Sequence, residues 1–281
     1  MPISGLSLSQ ESSGPQSAAG AEAVYTAPAL EKGLDILELL ASEAEGLSQG
    51  VIAQRLGRST PELFRMLSVL ERRRYLNRHA DGTYRISLRL FELAHQQPPL
   101  KHLLTVALPV MQELAKATRQ SAHLVIHYAR RILVVAQVDS PEPMGFGVRL
   151  GANFPFRPDR ASSRVLSAFQ PVAVQDELIA ELIANSPARL SARKVRAELA
   201  AIIQNGFYMA QSDTTNGVTD LCCPILDHSD GAVAALTLPY LHQRDVRIPL
   251  ASARESLIAA TRQISAMLGA RTDQRAQPAD A

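Results

Sequence analysis

The sequence has few cysteines, little net charge and no long apolar run. Its only cysteines among 281 residues, Cys222 and Cys223, are adjacent, and the net charge is +2. Adjacent cysteines rarely pair, so a disulfide framework is excluded, a thiolate metal site lacks ligands, and a reducing cytoplasm is expected. No run reaches the roughly 18 apolar residues of a membrane span. No Lys or Arg precedes Lys32, so we expect neither a membrane anchor nor a secretory signal.

The chain is long enough and apolar enough for two domains, with 46% hydrophobic and 20% charged residues. Two prolines at 98 and 99 predict a break between a small and a larger unit. The predicted organisation is a disordered arm at 1–28, a first domain at 29–87, a linker helix at 88–99, a second domain at 100–270 and a flexible tail at 271–281.

The first domain has the pattern of a helix-turn-helix. Apolar residues at three- and four-residue spacing predict a first helix with an inward face of Leu30, Leu34, Leu37 and Ala41, beside Ile36 and Leu40. Ser48 is a predicted N-cap for a short second helix, which ends at Gly57. Thr60 and Pro61 then predict the cap and first turn of a third helix that runs to about Arg74. Two short helices around a tight glycine turn favour DNA binding.

A hairpin is predicted directly after the third helix. Alternating residues at 75–78 and 83–86 flank a segment that contains Asp81 and Gly82. Three helices followed by a hairpin form a winged helix-turn-helix. Its charge supports this interpretation, because residues 29–49 carry −4 whereas residues 50–90, with nine arginines and three acids, carry +6. The arginine guanidinium matches phosphates and guanine edges.

The candidate DNA-binding residues lie at the helix starts, in the turn and on the wing. In chain order they are Ser48, Gln49, Arg58, Ser59, Thr60, Glu62, Phe64, Arg65, Arg78 and Arg85. Arg58 and Arg65 are suited to guanine, and the wing arginines Arg78 and Arg85 to phosphates. Glu62 would accept from cytosine or only complement the helix dipole, and Phe64 would contact a thymine methyl group or pack inward.

The second domain mixes helices and antiparallel strands, which predicts an α+β fold with helices on one side of the sheet. We expect a helix at 100–118 that Pro109 kinks or divides, a hairpin of strands at 123–128 and 132–138, and a strand before Gly151. Helices are expected at 161–205, strands at 207–211, 218–226 and 232–238, and a final helix at 250–268.

Residues 29–268 resemble the IclR family of bacterial transcriptional regulators. The resemblance rests on residues 29–40, 57–67, 81–86, 149–151, 205–207, 217–218, 224–225 and 231–236. It implies a GAF-like effector domain, a homodimer or homotetramer, and repression or activation of a catabolic operon under the control of a small metabolite. We expect no cofactor and no metal site.

The sequence departs from the family pattern at both predicted sites. Thr60-Pro61-Glu62 replaces a common Lys-Ser-Thr run, and Phe64 replaces a histidine. Arg157-Pro158-Asp159 replaces His-Ala-Thr, and Asp220 replaces a cysteine, so we expect a shifted ligand chemistry. By matching position, the predicted effector residues are Phe146, Phe154, Phe156, Arg157, Asp159, Arg160, Asp220, Cys222 and Thr237. The two arginines suggest an organic acid, such as an aromatic or sugar acid, although a surface Arg–Asp cluster is the alternative.

Two other functions remain open at this point. One is an enzyme with a Cys222 nucleophile, His123 or His127 as base, and Asp220. No nucleophile elbow, zinc-binding helix or phosphate loop supports it. The other is a winged helix that binds protein, which predicts no steep salt dependence of DNA binding.

Overall fold

The chain divides along its sequence into two compact units, with the boundary between Leu93 and Ala94. The computed structural model describes residues 27–270, apart from 97, 230 and 245–247. The predicted tail at 271–281 lies outside this range, and so does the predicted arm at 1–28 apart from Ala27 and Pro28, of which Pro28 is already the first residue of a helix. Within the described residues, no helix is long and apolar enough to cross a membrane.

The first unit combines helices with a small antiparallel sheet. Its elements are α1 (Pro28–Ala41), β1 (Leu47–Ser48), α2 (Gln49–Arg55), α3 (Thr60–Arg72), β2 (Leu76–Arg78) and β3 (Thr83–Ile86). The strand order is β1-β3-β2, with Leu47 opposite Tyr84 and Leu76 opposite Ile86. The predicted hairpin is thus confirmed, and β1 adds an unpredicted third strand. Helix α4 (Arg89–Gln96) follows and crosses the boundary between the units.

Local signals in the sequence set the starts and ends of α2 and α3. The Ser48 hydroxyl accepts a hydrogen bond from the Val51 amide at 3.4 Å, which confirms the predicted cap. Gly57 has a φ of +61°, a conformation that favours glycine. The predicted Thr60 cap is wrong, because α3 already begins at Thr60 and Ser59 stands at the capping position without a side-chain hydrogen bond.

The core of the first unit lies under one edge of α1. Ile36 and Leu40 are buried, together with Leu63 and Leu67 of α3. Leu30 and Leu34 were predicted to face inward, but they are 63% and 47% exposed. The apolar stripe of α1 is wider than the surface that α2, α3 and the sheet cover, so only part of it is buried.

The second unit is built around a six-stranded antiparallel sheet. Its strands are β4 (Ala122–Tyr128), β5 (Arg131–Val138), β6 (Asn153–Pro155), β7 (Tyr208–Gln211), β8 (Val218–Leu226) and β9 (Ala232–Leu241), in the order β6-β5-β4-β9-β8-β7. Its helices are α5 (Pro98–Thr118), α6 (Ala161–Ala168), α7 (Val172–Ala184), α8 (Ala192–Asn205) and α9 (Leu250–Met267). Pro109 lies inside α5, which is one helix. The prediction of a strand before Gly151 is wrong, because β6 follows this glycine.

Helices cover both faces of this sheet, so the prediction of helices on one side is wrong. One core joins α5 and α9 to side chains such as Leu124 and Leu236. The other joins α6, α7 and α8 to Val125 and Cys222. Because successive strand residues point to opposite faces, neighbouring residues serve different cores. The second face also carries a cavity.

Candidate nucleic-acid interface and ligand cavity

The outward face of α3 presents an arginine and an aromatic ring. Leu63 and Leu67 are buried, so Phe64 and Arg65 point away from the core, and Phe64 is 53% exposed. Inward packing of Phe64 is therefore wrong. Arg58 and Arg65 are both exposed, and within the described part of the chain their guanidinium groups make no hydrogen bond or ion pair. Both can take a new partner without breaking an existing contact.

Glu62, in the first turn of α3, is tied to α1. Its Oε1 atom lies 2.5 Å from Lys32 Nζ. The pKa of Glu62 is lowered, first by this hydrogen bond from Lys32 and to a smaller extent by the nearby charges of Lys32 and Arg58. The carboxylate therefore holds the start of α3 against α1, a contact that neither predicted role of Glu62 included.

The start of α2 is fixed to the start of α3 in the same way. Gln49 Nε2 donates to the Thr60 carbonyl oxygen at 3.0 Å, while Ser48 caps α2. Ser59 and Thr60 are exposed at this end of α3. Gln49 thus ties the start of α2 to the start of α3.

The two wing arginines differ in their surroundings. Arg78 lies over the Tyr84 ring, 5.7 Å from its centroid, and forms no ion pair with a described residue. Arg85 Nη2 lies 2.7 Å from Glu45 Oε2. Arg85 must therefore leave a carboxylate before it can bind a phosphate.

A cavity of about 70 Å³ lies on one face of the large sheet and opens to solvent. Strand register places His123 of β4 opposite Thr237 of β9, and Asp220 enters from β8. Six of the nine predicted effector residues line it, namely Phe146, Phe154, Asp159, Arg160, Asp220 and Thr237. The structure brings these six side chains together, and ligand binding by them stays a prediction.

The other three predicted effector residues do not line the cavity. Phe156 is fully buried in the core, where its ring centroid lies 4.4 Å from that of His127. Cys222 is fully buried and its Sγ accepts a hydrogen bond from Thr237 Oγ1 at 3.2 Å. Arg157 Nη2 lies 2.7 Å from Asp159 Oδ2, so Arg157 neutralises a residue of the cavity from outside its wall.

Burial shifts the pKa values of two titratable groups in the cavity wall. Burial lowers the pKa of His123 to about 4, so its ring is neutral at pH 7. Burial also raises the pKa of Asp220, against a Ser212 hydrogen bond and the charge of Arg160. Arg160 lies 4.7 Å from the centroid of the Phe154 ring. His123 Nδ1, Asp159 Oδ1 and Arg160 Nε are buried without a hydrogen-bond partner in the described structure.

Sequence reasoning missed part of the wall. His123, Ser162, Ser212, Asp213 and Thr214 also line the cavity. A histidine within an apolar strand was a usable signal for His123. The loop at 212–214 had none, because its position depends on how β7 and β8 pair.

The environment of the thiols opposes a cysteine enzyme. Burial raises the pKa of Cys222 far above its usual range and that of Cys223 to about 12. A thiol must ionise to act as a nucleophile, and both stay protonated at neutral pH. His123 is neutral and buried, and no group of three potential metal ligands occurs in the described parts of the chain.

A winged helix-turn-helix unit followed by a unit with a polar cavity is typical of a DNA-binding regulator with an effector domain, and comparison with known proteins gives the family. Residues 29–80 match the IclR helix-turn-helix domain and residues 100–266 match the C-terminal domain of bacterial transcriptional regulator IclR. The chain belongs to the IclR family, whose members are transcriptional regulators and not enzymes.

Similar proteins cover almost the whole described chain. The HTH-type transcriptional regulator XynR of Escherichia coli K12 is 26% identical over 244 residues, which are 85% of this chain and 96% of XynR. The crystal structure of Thermotoga maritima IclR has a TM-score of 0.70 at 20% identity, and a Microbacterium hydrocarbonoxydans IclR homolog complexed with 4-hydroxybenzoate has 0.69 at 20%. Both matches cover 85% of this chain and 98% of the other, and they confirm the fold.

Proposed function

We propose that this protein is a cytoplasmic homodimer or homotetramer that controls a catabolic operon in response to a small organic acid. The first unit binds operator DNA, and an acid in the cavity changes that affinity. The observation that carries the proposal is Arg160, a guanidinium in the cavity wall without an ion-pair partner among the described residues. Arginine is a preferred partner of carboxylates. A carboxylate in 4-hydroxybenzoate, bound by a structural relative, agrees with this choice.

On the DNA side, α3 enters the major groove. Arg58 and Arg65 contact base edges, Phe64 is placed to touch a thymine methyl group, and Arg78 and Arg85 hold phosphates. In a dimer, two such helices would contact half-sites about 34 Å apart or a multiple of that distance. A winged helix that binds protein remains the alternative, and only DNA binding by arginines predicts a steep loss of affinity with salt.

The test combines DNA binding and ligand response. Fluorescence anisotropy should show that the full chain binds its own upstream promoter fragment at low ionic strength, and that an organic acid shifts the affinity. Arg160→Ala should remove the response and keep DNA binding. Arg196→Ala is the matched control, since Arg196 belongs to the same unit and pairs with Asp176 at 2.5 Å. Absence of promoter binding with and without acids would overturn the proposal.

A further inference from the structure

The wall of the cavity carries more negative than positive charge. Asp159, Asp213 and Asp220 line it, together with one cation, Arg160. Arg157 pairs with Asp159 and offsets the charge of that carboxylate. Arg160 is then the one remaining cation in the described wall. Its charge lowers the pKa of Asp220, whereas the charge of Asp213 raises it. Asp220 is half-buried and Asp213 is exposed, so two carboxylates of the described wall share this single cation.

A second observation, a buried polar atom without a partner, favours a polar ligand in the cavity. His123 is only 8% exposed, lines the cavity, and has a buried Nδ1 atom without a partner. Buried polar atoms without partners are costly. A neutral imidazole supplies a hydrogen bond to a ligand but does not balance Asp213 and Asp220.

A simple carboxylic acid fits this wall poorly. Its carboxylate would pair with Arg160, but it would then occupy the one cation near half-buried Asp220 and bring a third negative charge into a cavity that Asp213 and Asp220 already line. Desolvation already disfavours the ionised form of Asp220. A protonated amine on the same ligand removes this conflict, because its N–H groups donate to carboxylates and its charge offsets theirs.

We propose that the effector is a zwitterion of amino-acid type, which binds its carboxylate at Arg160 and its ammonium group at Asp213 and Asp220. This inference rests on the proposed function and narrows its ligand class. The Phe146 and Phe154 rings contact the carbon framework of the ligand. His123 Nδ1 donates a hydrogen bond to the ligand or accepts one from it, according to the tautomer of the imidazole. The cavity thus discriminates by charge at two ends of one molecule.

Matched ligands test the proposal on the full chain. Titration calorimetry would use the proteinogenic amino acids, β-alanine and 4-aminobutyrate, each beside its deaminated acid and its decarboxylated amine. At least one zwitterion should bind about tenfold more tightly than both its deaminated acid and its decarboxylated amine. This is the factor expected for a charged hydrogen bond. The Asp213→Asn and Asp220→Asn variants should bind that zwitterion more weakly by a similar factor. They should bind its deaminated acid as tightly as the unchanged protein does, or more tightly. Asp176→Asn, a surface change in the same unit, should alter neither.

The outcomes separate this inference from the proposed function. If plain acids bind as tightly as the zwitterions, or if no zwitterion binds, the inference is wrong. Release of promoter DNA by a plain acid alone would overturn the inference and leave the proposed function intact. Zwitterion binding without any promoter binding would support the cavity assignment and overturn the proposed function.

Discussion

Replacing Arg65 by alanine tests whether α3 reads bases. Arg65 is exposed and its guanidinium has no partner in the described structure, so no internal contact offsets the loss. A bidentate contact with guanine contributes about 1–3 kcal/mol of discrimination. The dissociation constant for the operator should therefore rise by about 5- to 150-fold per half-site, without a change in the free energy of unfolding.

Arg78→Ala provides the contrast, because Arg78 lies on the wing and is assigned to a phosphate. Selection from random duplexes would define the operator, and anisotropy would measure the affinity of each variant for it and for a scrambled duplex over a series of salt concentrations. Arg65→Ala should weaken binding to the operator far more than binding to the scrambled duplex. Arg78→Ala should weaken both equally and reduce the salt slope by about 0.9.

The reasoning would be refuted by an equal loss on both duplexes for Arg65→Ala, which would place Arg65 on the phosphate backbone. Unchanged operator affinity would refute it as well, since α3 would then lie outside the groove. Thermal unfolding of both variants checks that neither result comes from a misfolded first unit.

Three further predictions concern charge and burial. Glu45→Gln should tighten binding to any duplex several-fold at low salt, because Arg85 no longer has to leave the carboxylate; an unchanged affinity would remove Arg85 from the interface. Cys222 and Cys223 should not react with Ellman's reagent in the native protein at pH 8 and should both react after unfolding, given their burial. Because burial lowers the pKa of His123 to about 4 from 6.5, its proton binds mainly to the unfolded chain between these values. Stability should thus fall by about 3 kcal/mol from pH 6.5 to 4, and His123→Gln should flatten this part of a denaturation series.

Features set by neighbouring residues were predictable from the sequence. Ser48, Gly57 and Gly206 define helix ends through their own hydrogen bonds or positive φ angles. The β4–β5 hairpin followed from alternation, and its turn residues Ala129 and Arg130 have positive φ values. Each of these signals acts over a few residues.

Features set by distant contacts were not predictable in this way. β1 has two residues and exists through pairing with β3, more than thirty residues later. The buried edge of α1 depends on what packs against it, and so does the Lys32–Glu62 ion pair. In the cavity, matching positions located six residues, whereas Phe156 and Cys222 turned out to lie behind the wall. Solvent access to a strand residue depends on the layer above it.

The alternation of side chains along β4, β8 and β9 has a consequence for divergence. His123, Asp220 and Thr237 face the cavity, whereas their neighbours Leu124, Leu221 and Leu236 belong to the opposite core with α5 and α9. A substitution at His123, Asp220 or Thr237 therefore changes the cavity wall without replacing a side chain that packs against those two helices. If the proposed effector binds there, its selectivity can be altered at these three positions while the core that holds α5 and α9 keeps its own side chains.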